Sequence, residues 1–417
     1  MIDDDGSDDF AEYSLPPEAP PPSSPEALIF APWHKPRKQY IRRRQWIHHV
    51  DSIIERLADA AGFNDGHPLR YMTLPGPDLL DVRMMADLCA QKAIKLRYTG
   101  FCYGSESEER RLRQNVSEFA LTHQGAVVSS SRVVRSRLQQ VSVTNSEAFI
   151  EMEKGGPYDV VNIDACEPLA NDDVDTSGRL VDTIRDITKF QLNKRRTPWL
   201  LFLTTPIQVE SISAASLQAL HTQIVENAAK DEAFASAMFT RFEAGETLEV
   251  FLDRLSSVDG ENLISVFSLG VAKWLIHLAE QAKFRVIKLK GFSYSMFKKE
   301  PFDPNMVSLA FLFEPTPLVI TDGSGLTQNP TAPPQTTKPV SDHVRAINKA
   351  FSIENLDETM KSDPELYESM KAESKQLLAS VGYPVDHPDQ GYDQWIASLV
   401  DDHEEADIEP AIAISGH

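Results

Sequence analysis

With 417 residues, 41% of them hydrophobic and 25% charged, the chain has the composition of a globular protein and the length for one large domain with appendages. A formal net charge of −21 excludes general coating of nucleic acid, because a uniformly acidic surface repels phosphates. The N-terminus is acidic and no apolar run is read near the roughly 20 residues of a membrane span, so no membrane contact is expected and a cytoplasmic location is.

Residues 1–30 carry Asp3, Asp4, Asp5, Asp8, Asp9, Glu12, Glu18 and Glu26, no Lys or Arg, and the run Pro20-Pro21-Pro22. Such a segment cannot build a core and is expected to be disordered. Residues 31–66 reverse the charge: Lys35, Arg37, Lys38, Arg42, Arg43 and Arg44 are interleaved with Trp33, Tyr40 and Trp46. That mixture can grip phosphates and stack on bases, so these six basic residues are candidate nucleic-acid contacts. The same residues suit an arm folded onto the acidic body, followed by a helix that buries Trp46, Val50, Ile53, Ile54 and Leu57 along one face.

From residue 67 to about 318, apolar strand candidates alternate with helical stretches, the pattern of an α/β domain with a mostly parallel sheet covered on both faces. The first strand, Arg70 to Leu74, breaks at Pro75-Gly76-Pro77-Asp78, and a helix follows over 79–90. The second runs from Lys95 to Phe101 and leads to a helix with Leu112, Val116, Phe119 and Ala120 at helical spacing. Residues 124–145 should hold a third strand. The fourth, Val160 to Asp164, ends abruptly in an acid and delivers Asp164, Ala165 and Cys166 to the sheet edge, where open α/β sheets bind ligands.

Pro198 to Thr204 is a fifth strand, and a mostly helical insertion of lid size follows over about 206–262. An apolar helix over 263–282 leads to a strand from Phe284 to Lys290 and, after a long loop, to another from Met306 to Phe313. Two strands joined without a helix should pair antiparallel. Residues 319–340, rich in Gly, Pro, Thr and Gln, read as a linker. A small helical module over 341–417, with a capped helix start at Asp363-Pro364 and an acidic tail, is expected to hold a protein partner.

This order of elements resembles the class I S-adenosylmethionine-dependent methyltransferases, over roughly residues 69–315 and on topology more than motifs. The resemblance implies a Rossmann-like, seven-stranded, mostly parallel sheet with a reversed last strand, and S-adenosylmethionine as cofactor. It implies cofactor contacts at Leu74, Gly76 and Asp78 after the first strand, at Cys102 and Glu106 after the second, and at Asp164, Ala165 and Cys166 after the fourth. The motifs are degenerate. One glycine stands between two prolines, which remove backbone donors, and Cys102 occupies the place of the acid that holds the ribose hydroxyls in the family.

Methyl transfer asks the protein for positioning and for the handling of one proton. Asp164 can serve either need, or cap the next helix. The order Asp164-Ala165-Cys166-Glu167 fits neither exocyclic amine methylation nor a cysteine nucleophile preceded by proline. The Lys-Asp-Lys-Glu constellation of the ribose 2′-O-methyltransferases is met in type and order by Lys35 or Lys38, Asp164, Lys288 or Lys290, and Glu300. Cys89, Cys102 and Cys166 are too widely spaced for a disulfide framework or a zinc pair, and His34, His48 and His49 lack metal-site spacing.

Two readings of function follow. In the first, a methyltransferase acts on nucleic acid, with Asp164 and Lys288 as catalytic residues and the acceptor entering under the insertion. In the second, a catalytically inactive methyltransferase-fold scaffold holds partners through the arm and the C-terminal module. A pocket altered for another nucleotide is a third variant.

Overall fold

The computed structural model describes residues 28–59, 66–103, 108–169, 178–207, 212–241, 247, 250, 261–296, 304–316 and 341–401. Residues 1–27, Glu106, Glu300, the linker at 319–340 and the tail after 401 lie outside the described residues.

A continuous helical rod opens the fold: α1 (Pro36–Tyr40), a π-helical stretch (Ile41–Ile47) and α2 (His48–Asp59). Pro36 suits its first position, where an N–H would have no helical partner. Trp46, Val50, Ile53, Ile54 and Leu57 are all buried. Strands β1 (Leu69–Thr73), β2 (Leu96–Phe101), β3 (Arg132–Val134), β4 (Val160–Asp164) and β5 (Trp199–Pro206) then alternate with α3 (Leu80–Gln91), α4 (Glu108–His123), α5 (Glu147–Gly155) and α6 (Leu180–Lys194). The insertion supplies α7 (Ala214–Lys230) and α8 (Glu232–Phe239), and α9 (Glu261–Gln281) leads into β6 (Phe284–Lys288), β7 (Phe292–Tyr294) and β8 (Met306–Pro315).

With β9 (Glu354–Asn355), the sheet has nine strands among the described residues, in the order β3-β2-β1-β4-β5-β8-β7-β9, with β6 also on β8. Strands β1 to β5 pair in parallel, whereas β8 runs antiparallel to β5, β6 and β7. The expected count of seven strands is therefore corrected in two places. The sixth strand is broken between Lys288 and Phe292, where Gln45 Nε2 reaches in from the rod to donate to the Lys290 and Ser308 carbonyls at 3.2 and 3.1 Å. A short β9 (Glu354–Asn355) is added parallel to β7.

Each face of the sheet has its own core. Val161, Ile163, Leu201, Leu203, Val286, Leu309 and Phe311 pack under α6 and α9. Tyr71, Val160, Phe202, Phe292, Tyr294 and Ala310 pack under the rod and α3. The insertion is built into the first core through Ile224, Phe234 and Met238, and Leu220 packs directly on Gly270 of α9, where a Cβ would lie 2.2 Å from its Cδ2 and force that side chain to move. The stretch Leu263–Gln281 is long and apolar enough to cross a membrane, which revises the expectation that no run reaches that length; 72% of it is buried inside the protein as the core helix.

Residues 341–401 are no detached appendage. Ala346, Ile347 and Ala350 of α10 (Asp342–Ala350) join the first core, and Arg285 Nη2 of β6 donates to Asp342 Oδ1 at 2.6 Å. Beyond α11 (Leu356–Ser362), the helices α12 (Pro364–Ala379) and α13 (Tyr392–Asp401) close over the N-terminal strap, residues 28–35. There Phe30, Leu80, Leu378, Tyr383, Val385, Tyr392 and Ile396 form a third cluster.

Candidate functional site

Register carries Asp164 to the carboxyl edge of the sheet, level with Thr204 of β5, Ser308 of β8 and Phe292 of β7. Its side chain faces the rod. Lys38, one turn inside the rod, is fully buried and donates to Asp164 Oδ1, and the Asp164 side chain keeps 26% exposure. Lys38 Nζ also lies 3.4 Å from the Tyr294 hydroxyl and 4.9 Å from the centroid of Trp46. Burial pushes the Lys38 ammonium below its usual range, and the Asp164 carboxylate acts against that shift. The Tyr294 phenol is raised well above its usual value by burial and by Asp164.

One helical turn further, Arg42 is buried and donates Nη2 to the Trp33 carbonyl at 3.1 Å. Its Nε and Nη1 are buried with no hydrogen-bond partner among the described residues. Below them, Tyr71 and Thr73 donate to Asp81 Oδ2 at 2.8 and 2.5 Å, and Asn162 Nδ2 donates to the Tyr71 hydroxyl at 2.8 Å. The Asn162 Oδ1 is likewise buried without a partner among the described residues. Unpaired buried polar atoms are costly, and Asn162 pairs with Thr73 at the carboxyl end of β1, the edge at which open α/β sheets bind ligands.

The loop after β1 is fastened from two sides. Arg113 of α4 grips Asp78 with two hydrogen bonds of 2.5 Å, and the Tyr383 hydroxyl donates to it at 3.0 Å. Leu79 is held in the left-handed region at φ 52°, a conformation costing a leucine about 1–2 kcal/mol. Pro75 is buried against β2, so that a Cβ on Gly100 would stand 2.8 Å from its Cγ. Gly76 is exposed, with open space where a Cβ would be, and Leu74 is half-buried. Cys102 is half-buried, its thiol raised by burial, and its N–H donates to the Val134 carbonyl at 3.1 Å. Ala165 is buried, whereas Cys166 is exposed.

The structure thus brings Lys38 and Asp164 together and separates both from Lys288. Lys288 pairs with Phe311 and shares the face of Val286 and Phe313, opposite the face that carries Asp164. Of the six basic arm residues, Lys35, Lys38 and Arg42 are buried and cannot meet a phosphate in this conformation. Arg37 pairs with Asp357 and Arg43 with Glu373; Arg44 is exposed. Among the described residues no group of acids, histidines and cysteines could hold a metal ion. Sequence reasoning passed over Tyr294, Asn162, Arg113 and Tyr383. The signal for Asn162 was there, an amide inside the apolar run Val160-Val161-Asn162-Ile163.

A family described as PP_RS20740-like matches residues 27–397, from the N-terminal strap through most of α13. The chain belongs to this family. Its span takes in the rod, the sheet and the C-terminal helices together. No curated protein matches. Among solved structures, a candidate rRNA methylase from Clostridium thermocellum is similar over 58% of this chain and 88% of its own, with 11% identity and a TM-score of 0.23.

Proposed function

We propose that this chain is a methyltransferase-fold protein that takes S-adenosylmethionine at the carboxyl edge of its sheet and acts on nucleic acid. The observation carrying the reading is the strand order. Counting β6 and β7 as one broken strand, the sheet runs third, second, first, fourth, fifth, a reversed last strand, then the sixth, which is the order of the class I methyltransferases. The pair Lys38–Asp164 at the end of the fourth strand adds to it.

The fit to the cofactor is uneven. The unsatisfied nitrogens of Arg42 and the Asn162 carbonyl oxygen suit the charged amino-acid end, and Gly76 leaves open space in the loop after β1. The ribose end is not matched, since Cys102 offers a thiol in place of a carboxylate and Pro75 fills the space above Gly100. When bound, the cofactor supplies an electrophilic methyl group. The chain's own share is to hold and orient: Lys38 fixes the Asp164 carboxylate and offsets its charge toward a phosphate-bearing acceptor, and Asp164 accepts a hydrogen bond from the acceptor's reacting group.

The fastened Asp78 and the Pro75–Gly100 contact favour the second reading, a scaffold that kept the fold without the cofactor. Calorimetric titration with S-adenosylmethionine and S-adenosylhomocysteine separates the two. Micromolar binding, about −8 kcal/mol, weakened at least about tenfold in a folded Asp164→Asn variant, is the expected result. No heat and no thermal stabilisation at millimolar ligand would sink it.

A further inference from the structure

The basic arm is largely consumed inside the protein, but a second basic surface stands beside the edge, on α4 and the end of β3. Helix α4 buries Gln114, Ser117 and Leu121 and turns its apolar stripe outward: Leu112, Val116 and Phe119 are 62%, 60% and 66% exposed. Arg111 is exposed on the same helix, and Arg135 Nη2 donates to Asn115 Oδ1 at 2.8 Å, which ties the end of β3 to the middle of α4. Two residues on, the Arg137 guanidinium lies 4.7 Å from the centroid of Tyr103, a ring 63% exposed. Tyr103 directly follows Cys102 at the carboxyl end of β2. Of the acids on this side, Glu118 accepts from the Val133 N–H at 2.5 Å and Glu151 pairs with Lys154 and Arg132, while Glu108 stands exposed at the start of α4.

We propose that the outward face of α4 and the end of β3 bind single-stranded nucleic acid, with Arg111, Arg135 and Arg137 on phosphates and with Tyr103 and Phe119 as stacking platforms. Exposed rings interleaved with arginines match unpaired bases, whose faces a duplex hides. In a chain of net charge −21, a local run of arginines around exposed aromatic rings is matched to a polyanion. The inference deepens the reading of the edge as an acceptor site and rests on that reading for where the strand leads, though binding itself needs no cofactor.

The test is fluorescence anisotropy of full-length protein with labelled oligo-U and oligo-dT of about 15 nucleotides and with a duplex of equal length. Single strands of either sugar should bind, more tightly than the duplex, and the affinity should fall with added salt. The variant Arg111→Glu/Arg135→Glu/Arg137→Glu, with unchanged melting, should lose at least about tenfold and flatten the log–log salt slope by about 2, for three lost phosphate contacts. Tyr103→Ala/Phe119→Ala should weaken single strands more than duplex.

No binding by the wild type, equal binding of the duplex, or loss only in Arg43→Glu/Arg44→Glu would overturn the proposal. So would a wild-type dimer that Phe119→Glu dissociates, since the face would then serve self-association. Oligonucleotide binding without S-adenosylmethionine binding leaves this site standing and removes the methyltransferase reading; the converse removes this site alone.

Discussion

Two lysines at the sheet are stripped of water, and they differ in what replaces it. Lys38 has the Asp164 carboxylate. Lys288 has nothing comparable: its Nζ is buried without a hydrogen-bond partner among the described residues, and burial, helped by Lys349, pushes it from 10.5 down to about 7. A folded pKa below the unfolded one means that the unfolded chain binds more protons between about pH 7 and pH 10, so stability rises with pH through that window. Below it the penalty is fully present. Lys288→Met removes the charge and keeps the volume, and the variant should be more stable than the wild type at pH 6 by a few kcal/mol, at about 1.4 kcal/mol per pKa unit. The gain should shrink toward zero by pH 10. Urea denaturation at both pH values checks this; an equal effect at both would refute the desolvated state of Lys288. Cofactor affinity should not change, and its loss in Lys288→Met would restore a catalytic part for this residue.

At the scale of the element, α4 shows how a helix can turn its more apolar stripe outward. Two stripes on it have helical spacing: Leu112, Val116 and Phe119, which look like a core, and Gln114, Ser117 and Leu121, which are the core. Single-sequence periodicity favours the more apolar stripe. What reverses the choice is tertiary, because Gln114 lies against Cys102 and Leu121 joins the cluster under the rod. Leu121→Ala should therefore cost about 2–5 kcal/mol, whereas Leu112→Ala and Val116→Ala should each stay within about 0.5 kcal/mol. Comparable losses at all three positions in chemical denaturation would mean that α4 packs with its other face.

The strands and their succession along the chain were legible because most are short apolar runs closed by a break, and the end of β4 was legible because Asp164 stops that run. The period-two alternation of Phe284, Val286 and Lys288 already set Lys288 with core residues, though it could not say on which side of the sheet. The broken sixth strand was not legible. Its apolar run continues past Lys288, and the interruption is stabilised by Gln45, which lies some 240 positions away in sequence (separation 245 from Lys290). The π-helical stretch that buries Arg42 and Gln45 has no comparable sequence signal either.

For the whole molecule, the two ends of the described chain close on each other through His34. Its carbonyl accepts from Ser374 Oγ at 2.6 Å and from the Tyr392 hydroxyl at 2.7 Å, and its Nδ1 accepts from the Ala31 N–H at 3.0 Å. The ring sits 5.0 Å from Tyr383, the residue that also fastens Asp78. Burial first, then the charges of Arg42 and Arg113, lower the His34 pKa from 6.5 to about 3. Between those values the unfolded chain carries the proton and the folded one does not, so stability falls as pH falls through the window, by up to about 1.4 kcal/mol per pH unit. His34→Phe keeps an aromatic ring and removes the titration. Between pH 6.5 and pH 4 the wild type should lose about 2–3 kcal/mol more than this variant, read as the difference between their denaturation midpoints across pH; parallel profiles would mean that His34 does not couple the closure to protons. Because Tyr383 touches both the strap and the loop after β1, protonating His34 should loosen that loop before the sheet unfolds. Tryptophan fluorescence from Trp33 and Trp395, on the two sides of the closure, should then change at a higher pH than the far-ultraviolet circular dichroism does.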